Sequence, residues 1–532
     1  MPKTSLSSIL FVSVIISMAA LLGVMYVVGS ATFADALRGY EVMYQFSDGA
    51  NWNTLNYPSV ANPVYSYYVA WWTPGQWMIP WLIMSVFSIE STQAVQAILI
   101  TICLPLALLG YGRLLTKLKF SKTIVFASLL CIVTNQLFYW HSIMYYGGDL
   151  LLLTFFPFFL LFLLRIKNEN YFRSLLLFLL IGFIGVFFKN TFLLVLLGAI
   201  TFLNARPSSL SKVRKIGFLI PTFIIGVIVL LFHISSGETP SSASDVIGYN
   251  GIPNDVVGDL TVALSSPFNS FFRYDSLVKF LFQTGGWGYA YFNYLLILPA
   301  ILSMLFLRYL HKMKSDNSDY KLLLIQFSVP VFIVFTVMYL RDSAVSYDMR
   351  HFAPIAFLFI PGILSWILTF KWKKVIIAGV VILTLMDVGL YYRSQVDIAL
   401  THTEWKTMKL PTREVEVMEL IENWTVKNPN GIVLIEDRWQ LSVGMNKVNK
   451  VVIANNTESH KWFVNSGMEL EKADQFNLAD LQGLDCSAIL FVSKKKNDML
   501  SRDKMTVMMY NFVQSVSATA DYELAEFVIS TN

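Results

Sequence analysis

Three carboxylates lie close together in the first polar segment of a chain that is 55% hydrophobic and only 14% charged. Asp35, Glu41 and Asp48 share the segment 33–76 with Arg38 and with many tryptophans and tyrosines. Ionisable groups are costly near hydrocarbon, so this segment is a candidate functional site. The alternative is a solvated loop whose aromatic side chains form a belt at the membrane boundary.

Cations that could complete such a site occur in two later segments. Lys189 interrupts a long apolar run, and the segment 341–354 (RDSAVSYDMRHFAP) holds Tyr347, Arg350 and His351. A carboxylate can take the proton of an acceptor hydroxyl, while Lys or Arg neutralises the charge that grows on a departing phosphate. These residues therefore favour transfer of a group off a phosphate. For each cation alone, the simpler interpretation is a side chain that reaches the membrane interface from an apolar helix.

The chain that must position these residues has the composition of a polytopic α-helical membrane protein. Three cysteines lie in apolar runs without metal-like spacing, which predicts no disulfide framework. The first apolar run is too long for a typical signal sequence and is predicted to be a retained signal-anchor helix. Runs that are long enough, or nearly long enough, to span a bilayer occur at 5–29, 93–115, 123–140, 150–164, 216–232, 291–307, 322–340, 355–370 and 375–391.

A further apolar run, 175–203, is interrupted in its middle by Lys189-Asn190. Each half is about 21 Å long as a helix, which is short of a hydrocarbon core of about 30 Å. We therefore predict a hairpin of two short helices with its polar turn buried in protein or at the outer side, because irregular backbone at membrane depth must be buried in protein or line a cavity. A single helix with a buried lysine is the alternative. Counting the hairpin as two helices predicts 11 transmembrane helices.

The distribution of basic residues predicts the orientation of the chain. Up to residue 392, the predicted inner segments carry 19 Lys and Arg residues and the outer segments carry six. Cytoplasmic loops are enriched in Lys and Arg, so the amino terminus is predicted to be cytoplasmic. The first loop (30–92) and the long loop 233–290 are then on the outer side, and so is the carboxyl terminus. A plasma or inner membrane is the expected location.

From residue 393 onward the composition becomes that of a soluble protein, so the domains are predicted at 1–392 and 393–532. Strand-like segments (431–437, 450–454, 488–493 and 523–530) alternate with helical segments (414–427, 459–467 and 502–516). This alternation predicts a small extracytoplasmic α/β domain. It has no glycine-rich phosphate loop and no His/Cys cluster, which favours a supporting or acceptor-binding role.

Three segments resemble a known family. FADALRGYEVM, SDGANWN and the aromatic run YYVAWWTPGQWMIPWL look like the first outer loop of the GT-C superfamily of integral-membrane glycosyltransferases, in the branch of the protein mannosyltransferases and the lipid A aminoarabinose transferase. GFIGVFFKNTFLLVLLGAITFL is similar to that family's short-helix pair, with Asn190-Thr191 in place of Gly-Pro. MRHFAPIAFLFIPG is similar to the Arg-Tyr-x-x-Pro segment, with His351 in place of the tyrosine. The resemblance covers roughly residues 1–392.

The resemblance implies transfer of a sugar from a polyprenyl-phosphate donor to a hydroxyl of a lipid, glycan or protein acceptor, with inversion. Asp35 would be the catalytic base, with Asp48 as its rival. Lys189 and Arg350 would hold the lipid-linked phosphate, with His351 nearby. Some members use a divalent metal at the acids of the first loop and others do not, so the metal question stays open. No nucleic-acid partner is expected.

Three other interpretations remain at this stage. A lipid flippase or transporter would bind the same lipid phosphate without chemistry, but it predicts charges along a transmembrane path. The runs here are nearly free of charge in their middles, Asp387 being the main exception. A polysaccharide polymerase or ligase would concentrate its arginines and histidine in one large loop. The third interpretation is a catalytically inactive relative of the GT-C fold.

Overall fold

A computed structural model gives the structure of the protein. It describes residues 5–47, 49, 51–57, 65–68, 73–207, 210–235, 256–272, 296–312, 318–340, 349–405, 408–429, 431–436, 451–454, 488–494, 510–518 and 522–529. The chain divides into two units. Unit 1 combines Met1–Ser30, Gln93–Leu230 and Ile247–Leu400, and unit 2 combines Ala31–Thr92, Leu231–Val246 and Thr401–Asn532. The predicted domain boundary after residue 392 stays a prediction.

Helices dominate the described residues. In chain order they are α1 (Leu6–Val28), α2 (Ala34–Ser47), α3 (Gly75–Phe87), α4 (Thr92–Lys117), α5 (Lys122–Val133), α6 (Gln136–Ile143), α7 (Gly148–Leu163), α8 (Tyr171–Phe188), α9 (Phe192–Ala205), α10 (Lys212–Gly217), α11 (Leu219–Ser235), α12 (Val256–Phe272), α13 (Ile297–Lys312), α14 (Ser318–Leu340), α15 (Ala353–Ile367), α16 (Lys373–Met386), α17 (Arg393–Leu400) and α18 (Thr412–Lys427). A π-helical turn, Asp387–Tyr392, joins α16 to α17.

Within the described residues, seven helical segments are long and apolar enough to cross a membrane, or eight if the bent pair α5 and α6 is one span. Helices α7 and α9 are apolar but shorter. The fold is therefore that of a polytopic helical membrane protein, as predicted, while the count of 11 spans stays a prediction.

Burial distinguishes the helices at the periphery of unit 1 from the one at its centre. Helix α1 exposes Leu6, Ile16 and Tyr26, as expected of a helix whose sides face lipid. In α15, by contrast, 12 of 15 residues are buried, which is the behaviour of a helix that is hydrophobic all round. Tyr111 of α4 donates a hydrogen bond to the Pro354 carbonyl at 3.0 Å and fixes the start of α15.

The predicted helical hairpin is confirmed. Helix α8 ends at Phe188, Lys189 caps it, and α9 begins at Phe192. The two helices pack closely because α8 presents glycines to α9: a Cβ at Gly185 would overlap the ring of Phe192. Small residues permit this kind of close approach between membrane helices. Helix α8 is longer than predicted, since it starts at Tyr171.

The predicted outer loop 233–290 contains helix α12. This helix packs in unit 1, where the ring of Phe268 lies 6.1 Å from that of Phe306 and 5.9 Å from that of Trp366. Part of the segment is therefore buried structure and not a simple connection.

Unit 2 begins with the first predicted outer loop, 30–92, which holds α2 and α3 and an antiparallel hairpin of strands Thr54–Tyr57 and Tyr65–Tyr68. The indole of Trp77 in α3 donates a hydrogen bond to the Asn53 side chain at 2.7 Å. The ring of Phe46 in α2 lies 5.2 Å from that of Trp77. These contacts fix α2 against α3 within the unit.

The carboxy-terminal part of unit 2 contains a five-stranded sheet. Its strands are, in spatial order, Tyr510–Ala518, Tyr522–Ile529, Ala488–Lys494, Ile432–Glu436 and Val451–Ala454. The last three are parallel to one another and the first two are antiparallel additions. Trp424 of α18 donates a hydrogen bond to Glu526 at 3.1 Å. The four predicted strands and the helix at 414–427 are confirmed.

One element of this part was predicted wrongly. The helix expected at 502–516 is a strand from Tyr510 onward. Its sequence, YNFVQSVSA, suits a strand because β-branched and aromatic residues are frequent in it, and the neighbouring strand Tyr522–Ile529 provides the partner. Residues 502–509 and the helix predicted at 459–467 lie outside the described residues.

Candidate active site

A carboxylate, two cations and two histidines meet in unit 1. The carboxylate is Asp149, the second residue of α7. Gly147 precedes the helix with a φ of 58°, a left-handed conformation that glycine adopts without strain. The first turn of a helix favours negative charge, so the sequence Gly147-Gly148-Asp149 places this acid where the backbone stabilises it.

Lys189 reaches Asp149 from the turn of the hairpin. Its ammonium group donates a hydrogen bond to Asp149 Oδ1 and forms an ion pair with it. The approach depends on Gly148, because a Cβ there would overlap the Phe188 carbonyl oxygen at the end of α8. The glycine pair thus brings the start of α7 against the end of α8.

Arg350 reaches the same carboxylate from a third element, the 3₁₀ turn Met349–Phe352 that precedes α15. Its Nη1 lies 3.9 Å from Asp149 Oδ2, and its guanidinium carbon lies 5.7 Å from the centre of the Tyr146 ring. The Arg350 side chain is 14% exposed and that of Asp149 is 12% exposed. At this burial an isolated charge would be costly, so the pairing stabilises all three groups.

Two histidines lie beside this cluster. The ring of His351 stacks on Phe335 with centroids 5.6 Å apart. The ring of His141 in α6 meets Tyr146 edge-on at 5.4 Å, and within the described part of the chain its Nδ1 atom has no hydrogen-bond partner although it is buried. Both imidazoles add hydrogen-bonding capacity near the two cations.

The charges of the cluster do not cancel. Lys189 and Arg350 share one carboxylate, so the three groups carry a net charge of plus one. An anionic group such as a phosphate would be attracted by the surplus cation, and its two donors come from separate elements, the turn of the hairpin and the 3₁₀ turn before α15. The arrangement can bind an anion without first breaking the Asp149 ion pairs.

The structure thus brings together three of the predicted site residues, Lys189, Arg350 and His351. Glu41 is buried in α2 at 2% exposure. The backbones of Asp35 and Arg38 also belong to α2, but their side chains are outside the described part of the structure, and Asp48 and Tyr347 are wholly outside it.

Helix α2 carries the backbone of Asp35, one of the two candidate bases, whereas Asp48 lies outside the described residues. Asp35 is its second residue, and Ser47, the residue before Asp48 in the chain, is its last. With 1.5 Å of rise per residue, about 18 Å of helix lies between the backbones of Asp35 and Ser47. Asp35 and Asp48 stay alternative predictions for the base.

Asp149 is the site residue that sequence reasoning left out. The sequence feature that could have pointed to Asp149 is the pair of glycines before it, at the start of an apolar helix. Among the described residues no group of three or more His, Cys, Asp or Glu side chains could hold a metal ion.

No protein-family profile and no curated protein sequence matches this chain. A solved structure does: ArnT from Cupriavidus metallidurans in the apo state, at 10% sequence identity and a TM-score of 0.54. The match covers 96% of this chain and 97% of that one. The chain therefore has the GT-C fold that the first-loop, hairpin and Arg350 segments predicted. At this identity the likeness concerns the fold alone.

Proposed function

We propose that the protein is a glycosyltransferase that moves a sugar from a polyprenyl-phosphate carrier to an acceptor hydroxyl at the outer face of a plasma or inner membrane. The acceptor oxygen forms a bond to the anomeric carbon while the bond from that carbon to the phosphate oxygen breaks. The carrier phosphate leaves with the bonding electrons, and a carboxylate takes the acceptor proton. A single displacement inverts the anomeric centre.

The observation that carries the proposal is the convergence of Lys189 and Arg350 in a chain with the GT-C fold. The carrier phosphate gains negative charge as the sugar departs, and preorganised cations stabilise charge that develops in a transition state. A net positive cluster at the start of α7 and the end of α8 suits this role. His351, Tyr347 and Arg38 are proposed as further contacts to the donor.

The proposed base is a first-loop acid, Asp35 or Asp48. Asp149 suits this role less well, because its carboxylate is already engaged by two cations and has little tendency to accept a proton. Glu41 is proposed as a substrate-binding residue of the same loop. A divalent metal at the first-loop acids is neither required nor contradicted by the proposal.

The test is transfer of a labelled sugar from a panel of polyprenyl-phosphate monosaccharides, with the full chain reconstituted in membranes and with lipid and glycan extracts as acceptors. Lys189→Gln and Arg350→Gln should weaken both donor binding and transfer. Asp35→Asn and Asp48→Asn should separate the two steps, so that one of them abolishes transfer while donor binding persists. Lys373→Gln, an exposed lysine at the start of α16, is the matched control.

The flippase interpretation predicts a different result. Donor would then bind to every variant that keeps Lys189 and Arg350, with no labelled product from any sample, the parent included. Movement of the donor between leaflets, followed with a fluorescent carrier in vesicles, would identify that activity. Donor binding with neither transfer nor movement would indicate an inactive relative.

A further inference from the structure

A second charged region lies in unit 1, at the other end of α7, the helix that carries Asp149. It is a cavity of about 1170 Å³ between α1, α4, α5 and the end of α7. Small-molecule pockets measure roughly 300–1,000 Å³, so this cavity is large for a compact ligand. Serines, cations and apolar side chains line it, among them Ser5, Val12, Leu109, Arg113, Lys117 and Arg165.

Four cations line this cavity and no carboxylate is among its described lining residues. Arg113 and Lys117 come from α4, Lys122 begins α5, and Arg165 follows α7. All four side chains are exposed. Within the described part of the chain, no hydrogen bond or ion pair joins any of them to a protein group. The cavity thus offers positive charge without a protein counter-ion, which complements an anion.

The lining has a polar end and an apolar end. In each of the four segments the polar residues lie at the helix terminus and the apolar residues follow inward: Ser5, the N-cap of α1, precedes Val14, and Lys117 follows Leu108 in α4. From Ser5 to Val14 the helix advances about 13 Å, close to half the thickness of a hydrocarbon core. A ligand that fits has a charged head and an apolar body about one leaflet deep.

We propose that this cavity binds an anionic glycerophospholipid of the surrounding bilayer, with its phosphate between Arg113 and Lys117 and its acyl chains along Val12, Leu109 and Leu129. Basic pockets between transmembrane helices are suited to anionic head groups. The hydroxyls of Ser5, Ser7 and Ser8 hydrogen-bond to one another at 2.9 Å, which leaves one O–H to donate to a phosphate or glycerol oxygen. By the predicted orientation, this lipid belongs to the inner leaflet. The site is independent of the proposed sugar transfer.

The test is native mass spectrometry of the full chain in detergent, with dioleoyl phosphatidylglycerol and dioleoyl phosphatidylcholine offered in competition. The parent chain should retain the anionic lipid preferentially. Each basic residue near an anionic membrane surface contributes about 1 kcal/mol of attraction, so combining Arg113→Gln and Lys117→Gln should weaken the affinity roughly 30-fold. Lys373→Gln combined with Lys374→Gln removes two exposed cations outside the cavity and should leave the preference unchanged.

A second variant tests the apolar end without changing the charge. Leu109→Trp places a bulky ring in the acyl region, and it should lower retention of both lipids while every cation remains. The size-exclusion profile of each variant shows whether it is folded.

Three results would overturn the proposal. The first is equal retention of the two lipids by the parent chain, and the second is an equal loss of preference in the two double variants. The third is displacement of the anionic lipid by inorganic phosphate at concentrations where phosphatidylcholine has no effect, since that would indicate a site for a free anion.

Discussion

Helix α7 has a charged region at each end, and the two regions are built in opposite ways. Asp149 at its start is largely buried and pairs with two cations, whereas Arg165 beyond its end is exposed in a cavity whose described lining residues include no carboxylate. About 24 Å of helix separates them. Burial makes an uncompensated charge costly, so the buried region must pair its charges. The exposed region is under no such constraint and can leave its cations available to a ligand.

Removal of the buried carboxylate should have the largest effect on stability. Asp149→Asn leaves Lys189 and Arg350 facing each other without a counter-ion, and loss of one partner of a buried pair costs about 3–5 kcal/mol. Asp397→Asn is the control, because Asp397 forms an exposed pair with Arg393 at 4.0 Å that should contribute less than about 1 kcal/mol. Unfolding of both variants by denaturing detergent measures the difference; equal losses would contradict the contrast between buried and exposed charges.

The buried cations should matter most for turnover. Lys189→Gln removes one of the two donors proposed for the carrier phosphate, and loss of one such preorganised group lowers kcat about 10²- to 10³-fold. The labelled-sugar assay measures it, with Lys373→Gln alongside. A Lys189→Gln variant that binds donor and turns over like the parent would remove this cluster from the mechanism.

The close approach that builds the buried cluster can be tested with glycine variants. Gly148→Ala forces a methyl group against the Phe188 carbonyl oxygen, and overpacking of this kind costs about 1–3 kcal/mol. Gly226→Ala in α11 adds its methyl group where no atom lies within 4 Å and should be neutral or stabilise by up to about 1 kcal/mol. The two apparent melting temperatures should therefore move apart; a shift of both in the same direction would show that Gly148 does not set the approach.

The smallest effect on stability is expected at the exposed end of α7. Arg165→Gln changes a side chain without a protein partner among the described residues, and such surface substitutions stay within about 0.5 kcal/mol. The free energy of unfolding of the lipid-free protein should match that of the parent. A large decrease in the free energy of unfolding would mean that Arg165 has a structural role. That result would contradict the difference proposed between the two ends of α7.

Much of the fold was predictable because membrane segments follow simple rules. The apolar runs predicted most of the helices, and the lysine inside the run 175–203 predicted the break between α8 and α9, since a charge inside an apolar run is tolerated only with a special structural reason. The resemblance of the first-loop and Arg350 segments predicted the GT-C fold. The strand at Tyr510–Ala518 was missed because its hydrophobic pattern fits a helix, and only the pairing with Tyr522–Ile529 resolves that ambiguity.

The site was predictable in part. Lys189 and Arg350 stand out as cations beside apolar helices, and their sequence context was enough to select them. Asp149 did not stand out, because an acid after two glycines at the start of a helix has the appearance of an ordinary helix beginning. Its role depends on Lys189 and Arg350, which are 40 and 201 positions away in the chain.

The sequence by itself determined that the chain spans a membrane, that it is built of apolar helices with one broken pair, and which cations are out of place in that setting. These properties follow from local composition, because a bilayer tolerates few exposed polar groups and each charged residue inside an apolar run can be recognised in the sequence. Only the tertiary structure decided that Lys189 and Arg350 share one carboxylate and that Arg113, Lys117, Lys122 and Arg165 face a common cavity. Both facts depend on contacts between distant helices, and in lipid those contacts are set by the fit of small and large side chains, which no single segment encodes.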